Sequence, residues 1–151
     1  MGASQVCGFA KSDPSKETPN LQFHVQPIST DILGASKLHD FDGITPTVAN
    51  IRPSSRGEIS IVSNDSRVNP KIKMNYLSTQ DDRIVAAQGL KLVRKIMLDT
   101  ETFKKYEPEE YRPGVHITDD EELVKAGSEF TQTIFHPVGT CKMGKDDNCS
   151  C

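Results

Sequence analysis

The stretch Leu21-Gln22-Phe23-His24-Val25-Gln26 decides the fold of this chain. Apolar and polar residues alternate along it, which is the two-residue period of a β-strand with one buried face. The three apolar residues would share that face, and His24 would lie on the opposite one. The preceding residues 11–20 are polar and include two prolines, so we expect a loop before the strand.

Three further runs have the composition of short strands, at residues 45–52, 58–63 and 71–76. A turn over residues 53–57 separates the first two runs, and a short loop containing glycine predicts an antiparallel hairpin between them. Residues 28–43 show no period. A loop of that length in a compact domain often lines a binding site.

Two helices are predicted after the strands. Ser78 or Thr79 can cap the first, because Asp81 and Asp82 follow in the turn where the helix dipole favours negative charge. Thr118 is expected to cap the second, with Glu121 at the spacing of a capping box. The expected apolar faces are Ala86, Leu90, Val93 and Met97 for the first helix, and Leu123, Val124, Ala126 and Phe130 for the second.

Strands followed by helices predict an α+β fold, an antiparallel β-sheet with helices packed on one face. The second helix would lead directly into the segment that contains His136. The length of 151 residues is that of a single domain with a modest core.

The composition excludes several function classes. A net charge of −3 provides no basic surface for nucleic acid, and no run of about 18 apolar residues could span a membrane. The N-terminus lacks a secretory signal, which favours a cytoplasmic location. The sequence has no glycine-rich phosphate-binding motif, so another part of a larger chain would have to hold any nucleotide cofactor.

No metal site is predicted. Cys149 and Cys151 form a close pair at the end of the chain, but zinc sites need a second pair of ligands. Free thiols in a tail explain them better.

Among the four histidines, His136 has the most distinctive surroundings. Pro137 stiffens the backbone after it, and nearby glycines permit tight turns. His24 is expected on the strand surface, His39 in a solvent ion pair beside its neighbouring aspartate, and His116 in a loop. The residues alone leave a catalytic and a structural role for His136 about equally supported.

The run His136-Pro137-Val138-Gly139-Thr140-Cys141-Lys142-Met143-Gly144 resembles the C-terminal motif of the glucose–methanol–choline (GMC) oxidoreductases, and choline dehydrogenase-like members most closely. Other stretches resemble further parts of that family in the same order, across about residues 5–147. They are Leu21-Gln22-Phe23-His24, Pro53-Ser54-Ser55-Arg56-Gly57, Asn69-Pro70-Lys71-Ile72, Asn75-Tyr76-Leu77-Ser78 and Thr118-Asp119-Asp120-Glu121-Glu122.

This resemblance implies a flavoprotein that oxidises the CH–OH group of a small alcohol with FAD. A base takes the hydroxyl proton while hydride moves to the flavin. His136 matches the catalytic histidine. The resemblance further implies cofactor contacts by Pro137, Val138 and Gly139, and a substrate contact by His24.

The chain also departs from the family pattern. It lacks the family's N-terminal dinucleotide-binding half and the second His or Asn that follows the motif histidine. We therefore interpret residues 1–147 as a truncated substrate-binding domain and residues 148–151 as a tail foreign to the family. The missing FAD-binding half would be its partner and would hold most of the FAD. We expect the fragment alone to be inactive, and a full-length parent could still associate with a membrane. The alternative is a non-catalytic α+β binding module or a non-functional gene remnant.

Overall fold

A computed structural model describes residues 4–32, 36–139 and 143–145. The elements in this part of the chain are β1 (Val6–Ala10), β2 (Leu21–Gln26), β3 (Thr45–Asn50), β4 (Glu58–Ser60), β5 (Lys71–Lys73), α1 (Gln80–Asp99), α2 (Glu101–Lys104) and α3 (Asp120–Ser128).

The chain divides into two compact units. The first, here called the sheet–helix unit, comprises the described residues up to Ser54 and those from Thr79 to Thr131. The second, here called the motif unit, comprises Ser55–Ser78 and the described residues from Gln132 onward. Each unit is built from two separate stretches of sequence.

The sheet of the sheet–helix unit has the strand order β1-β2-β3, and both pairings are antiparallel. Strand β2 has the predicted bounds, and Phe23 pairs with Gly8 on one side and Val48 on the other. Strand β1 was not predicted, because Val-Cys-Gly-Phe-Ala lacks a clean alternation. Its pairing with β2 defines it as a strand.

Helix α1 covers the side of the sheet that carries Leu21 and Val48. A Cβ added at Gly89 would lie 3.1 Å from Val48 Cγ2 and 3.4 Å from Leu21 Cδ2, so the absence of a side chain allows this close approach. Among the residues that the structure describes, the buried apolar side chains are Leu21, Val85, Ala87 and Leu123. The predicted α+β class, with helices on one face of an antiparallel sheet, is confirmed.

The apolar stripe predicted for α1 is displaced. Its four members, Ala86, Leu90, Val93 and Met97, are only half-buried, whereas Asp82, Val85, Ala87 and Gly89 are buried. The buried positions include Gly89, whose missing side chain lets the helix lie close to Val48 and Leu21, so the helix is rotated from the predicted orientation.

The predicted hairpin between residues 45–52 and 58–63 is wrong. Strand β3 pairs with β2, and the shorter β4 pairs with β5 in a separate two-stranded sheet, where Ile59 lies opposite Ile72. Hydrogen bonds at Ser54 explain why β3 and β4 lie in separate sheets. Its backbone N–H and its hydroxyl donate to Asp82 Oδ1 at 2.9 and 3.2 Å, which ties the end of the first sheet to the start of α1.

The caps of the two main helices agree with prediction in part. Thr79 caps α1 by accepting a hydrogen bond from the Asp82 N–H at 3.3 Å. The cap of α3 is Asp119 rather than Thr118, since its carboxylate accepts from the N–H groups of Glu121 and Glu122, both at 3.0 Å. Helix α3 ends at Ser128, so it does not run into the His136 segment as predicted.

An ion pair fastens the segment between α2 and α3 to helix α1. Arg94 Nε and Nη2 donate to Glu110 at 2.7 and 2.9 Å, and the guanidinium also donates to the carbonyls of Gly114 and Ile117. Donation of these hydrogen bonds to the Glu110 carboxylate raises the pKa of Arg94 above its usual value. No described helix is both long and apolar enough to cross a membrane.

Candidate active site

His136 lies in the motif unit, on a stretch without regular secondary structure. Its side chain is exposed, and no hydrogen bond or ion pair joins it to the part of the chain that the structure describes. The imidazole is therefore available to a ligand. Within the motif, Thr140, Cys141 and Lys142 lie outside the described residues, as do the predicted tail residues Cys149 and Cys151.

The backbone turns sharply on both sides of His136. Phe135 has a φ of 61° and Gly139 a φ of 91°, and Pro137 lies between them. The Phe135 N–H donates to Thr133 Oγ1 at 3.0 Å. Val138 is 93% exposed, and a Cβ added at Gly139 would meet no atom within 4 Å. The predicted cofactor contacts, Pro137 to Gly139, thus form an open edge that a planar group can approach.

A shallow apolar cavity of about 340 Å³ lies beside the motif. Its lining residues are Met74, Tyr76, Thr133, Phe135 and Pro137. Such a volume is near the lower limit for small-molecule sites, so the cavity can hold an apolar group but cannot enclose a dinucleotide.

The Pro-Ser-Ser-Arg-Gly stretch is held against the segment that follows β5. Asn75 Nδ2 donates to the Arg56 carbonyl at 2.9 Å, and the Ser78 N–H donates to Ser55 Oγ at 3.0 Å. A Cβ added at Gly57 would clash with backbone oxygens, including that of Met74 at 2.6 Å. Only glycine fits there, which explains how two stretches distant in sequence form one part of the motif unit.

His24 occupies the side of the first sheet that faces away from α1, as predicted. In the strand register it lies between Cys7 and Thr47. Its Nε2 atom is buried and has no hydrogen-bond partner among the described residues, and the same holds for Gln26 Oε1. Buried polar atoms are nearly always paired, so these two atoms depart from the usual pattern, and His24 is more buried than the strand-surface position expected for it. Sequence reasoning missed Gln26, although its position two residues after His24 could have indicated it.

The environment of His39 differs from the expectation. Its Nε2 lies 3.4 Å from Asp31 Oδ1, not beside the neighbouring Asp40, and its Nδ1 lies 2.9 Å from Ser29 Oγ. The ring also stacks on Phe41 with centroids 4.9 Å apart. His39 is therefore a largely buried member of a polar and aromatic cluster rather than a solvent-exposed ion-pair residue. His116 lies in a loop before α3, as predicted.

Within residues 4–32, 36–139 and 143–145, no group of three or more His, Cys, Asp or Glu side chains is arranged to hold a metal ion. Two carboxyl groups have altered pKa values. Hydrogen bonds from Arg67 lower the pKa of Asp65, and hydrogen bonds from Ser15 lower the pKa of Asp13. Both carboxylates are exposed, and neither lies in the His136 motif.

Among curated proteins, the chain is similar to a choline dehydrogenase and to an alcohol dehydrogenase. The chain is 36% identical over 150 residues to the oxygen-dependent choline dehydrogenase of Pseudomonas putida strain F1, covering 97% of this chain and 26% of that protein. It is 39% identical over 139 residues to an alcohol dehydrogenase [acceptor] of Pseudomonas putida, covering 92% of this chain and 25% of the relative. The chain therefore spans about a quarter of the length of these relatives.

Solved structures share the fold. Pyridoxine 4-oxidase from Mesorbium loti matches with a TM-score of 0.81 and 21% identity, over 97% of this chain and 29% of that protein. A formate oxidase from Aspergillus oryzae, studied for FAD modification, matches with a TM-score of 0.69 and 23% identity, over 83% of this chain and 22% of that one.

The sequence model described as GMC oxidoreductase matches residues 53–151. This range includes the Pro-Ser-Ser-Arg-Gly stretch, helix α1 and the His136 segment. The chain belongs to the GMC oxidoreductase family.

Proposed function

We propose that this chain is the substrate-side portion of an FAD-dependent oxidoreductase that acts on the CH–OH group of alcohols and resembles choline dehydrogenase. The observation that carries the proposal is the position of the His136 side chain. It is an exposed imidazole without a partner among the described residues, set in the family's motif between two sharp backbone turns. Family membership and the names of the curated relatives support the reaction class.

His136 is the proposed general base. A neutral imidazole nitrogen accepts the proton of the substrate hydroxyl as the carbon is oxidised. The exposed position of His136 supports this role, because no described residue occupies the ring nitrogens.

His24 is the proposed substrate contact. The support for this contact is the resemblance of Leu21-Gln22-Phe23-His24 to the strand that opens the family's substrate-domain sheet.

The described residues can contact the edge of a flavin ring, but they do not form a complete cofactor site. Val138 and Gly139 are open to solvent, so with Pro137 they can border a planar ring. The flavin would supply the hydride acceptor when bound. The nucleotide portion would be held by other polypeptide, since the sequence contains no glycine-rich phosphate loop.

The isolated chain should therefore be inactive. Mixing it with FAD should leave flavin fluorescence unquenched, and addition of choline or simple alcohols should not reduce a redox dye. Turnover by the chain alone would contradict this expectation.

In a complete oxidoreductase that carries this segment, His136→Ala should lower kcat/KM by roughly 10²–10⁴-fold, the usual contribution of a general base. His116→Ala is the matched control, because it removes an exposed loop histidine of the other unit. A His136→Ala enzyme with a near-normal rate would remove this residue from the mechanism.

A further inference from the structure

We propose that Thr133 is a positioning residue for His136 and acts through the backbone of Phe135. The inference rests on the proposed role of His136 as the base. Thr133 is two residues before Phe135 and three before His136, and its hydroxyl oxygen accepts the Phe135 N–H at 3.0 Å. This contact lies entirely within the motif unit.

The conformation of Phe135 needs such a restraint. Its φ of 61° is in the left-handed region, which residues with a bulky side chain rarely adopt. Unfavourable backbone conformations persist only where surrounding contacts maintain them, and they are concentrated at functional sites. The hydrogen bond to Thr133 closes a short turn around Phe135 and is the described contact that maintains it.

The next residues restrict His136 from the other side. Pro137 has a fixed φ, and a residue that precedes proline is confined to extended conformations. His136 thus follows a residue held in a left-handed turn and precedes a proline. Its backbone has little freedom, so the turn at Phe135 sets the direction of the His136 Cα–Cβ bond.

A general base must lie within hydrogen-bond distance of the proton that it accepts, and a displacement of about 1 Å can cost 10²-fold in rate. Loss of the Thr133 acceptor would free the turn and let the imidazole leave that position. The expected kinetic signature is a lower kcat with little change in KM, because His136 would still be present but less often aligned.

The first test uses the 151-residue chain and amide hydrogen exchange measured by NMR. Thr133→Val keeps the side-chain shape but removes the acceptor, so exchange of the Phe135 amide should become about tenfold faster. Thr133→Ser should retain slow exchange. Thr100→Val is the control, because it removes a threonine hydroxyl that donates to the Ile96 carbonyl at the end of α1 and should leave Phe135 unaffected. Unchanged exchange in Thr133→Val would overturn the proposed restraint.

The second test uses a complete oxidoreductase that carries this segment. Thr133→Val should lower kcat about 10–100-fold at a nearly constant KM, and Thr133→Ser should restore most of the rate. Phe135→Gly, which frees the same turn without touching Thr133, should lower kcat similarly. If His136→Ala abolishes turnover while Thr133→Val and Phe135→Gly leave kcat unchanged, the positioning role fails and the base assignment stands. If His136→Ala has no effect, the base assignment fails independently of the exchange result.

Discussion

The two units of the molecule differ in how they are stabilised. The sheet–helix unit contains every side chain that is buried in the described part of the chain, together with the largely buried Arg94–Glu110 ion pair. The described residues of the motif unit include none that is buried, yet they carry His136 and residues 55–57 of the Pro-Ser-Ser-Arg-Gly stretch. Stability is thus concentrated in one unit and the residues of the proposed chemistry mainly in the other.

The largest expected effect is on the core. Leu21→Ala should lower the free energy of unfolding by about 2–5 kcal/mol, because Leu21 is 1% exposed and its loss leaves a cavity. The matched variant in the motif unit, Ile61→Ala, removes a side chain that is 88% exposed and should change stability by less than about 0.5 kcal/mol. Urea unfolding of both variants measures the contrast. Equal losses would show that the motif unit has a core of its own.

A smaller effect is expected at the ion pair. Glu110→Gln should destabilise the sheet–helix unit by about 1–3 kcal/mol, because Arg94 would remain largely buried without its counter-charge. Glu101→Gln breaks the exposed pair with Lys104 and should cost less than about 1 kcal/mol. Thermal unfolding of the two variants compares them, and equal shifts in Tm would contradict the importance of burial.

The next effect tests the motif unit itself. Gly57→Ala forces a Cβ against the backbone oxygens of Lys73 and Met74, so the β4–β5 pairing should open. Gly8→Ala is the control, because a Cβ there meets no atom within 4 Å. Amide exchange should rise at Glu58–Ser60 in the first variant only, while protection in β2 stays the same. Loss of protection in β2 would show that the two units unfold together.

The smallest effect concerns an exposed carboxylate. Hydrogen bonds from Arg67 lower the pKa of Asp65, so this pair stabilises the folded state above the unfolded pKa of about 3.9. That contribution is lost as the pH falls through the lower, folded value. In an NMR titration, Arg67→Gln should raise the pKa of Asp65 and leave that of Asp13 unchanged. An unaltered Asp65 titration would contradict the proposed cause.

Sequence reasoning predicted the elements whose signals are local. The alternation in residues 21–26 gave strand β2 with its correct bounds, and the hydroxyls before two aspartates limited the cap of α1 to Ser78 or Thr79, of which Thr79 is the cap. Both depend on residues close in sequence, so tertiary contacts did not need to be known.

Most of the failures involve contacts between distant residues, and the cap of α3 at Asp119 rather than Thr118 is the local exception. Strand β1 is defined by pairing with β2, and the end of β3 is redirected by Asp82, which lies 28 residues beyond Ser54. The rotation of α1 follows from the approach of Gly89 to Val48 and Leu21. None of these contacts leaves a periodic signal in the sequence.

The sequence predicted the motif that contains His136 and the side of the sheet on which His24 lies. It did not predict the backbone conformation or the burial at these positions. The residues after Phe135 identified the family, and the strand pattern placed His24 on the correct side of its sheet. The left-handed turn at Phe135 and the unpaired atoms of His24 and Gln26 could not be inferred, because both depend on backbone angles and burial.

The hydroxyl oxygens of Ser54 and Thr79 are 2.6 Å apart. This contact affects which changes of sequence the protein can tolerate. These residues flank Ser55–Ser78, so the chain leaves and re-enters the sheet–helix unit at one point. The cost of closing a loop depends only weakly on its length once its ends are held together. Insertions, deletions or exchanges within Ser55–Ser78 can therefore accumulate without altering the sheet–helix unit. Natural variation or protein engineering can therefore replace this segment as one piece.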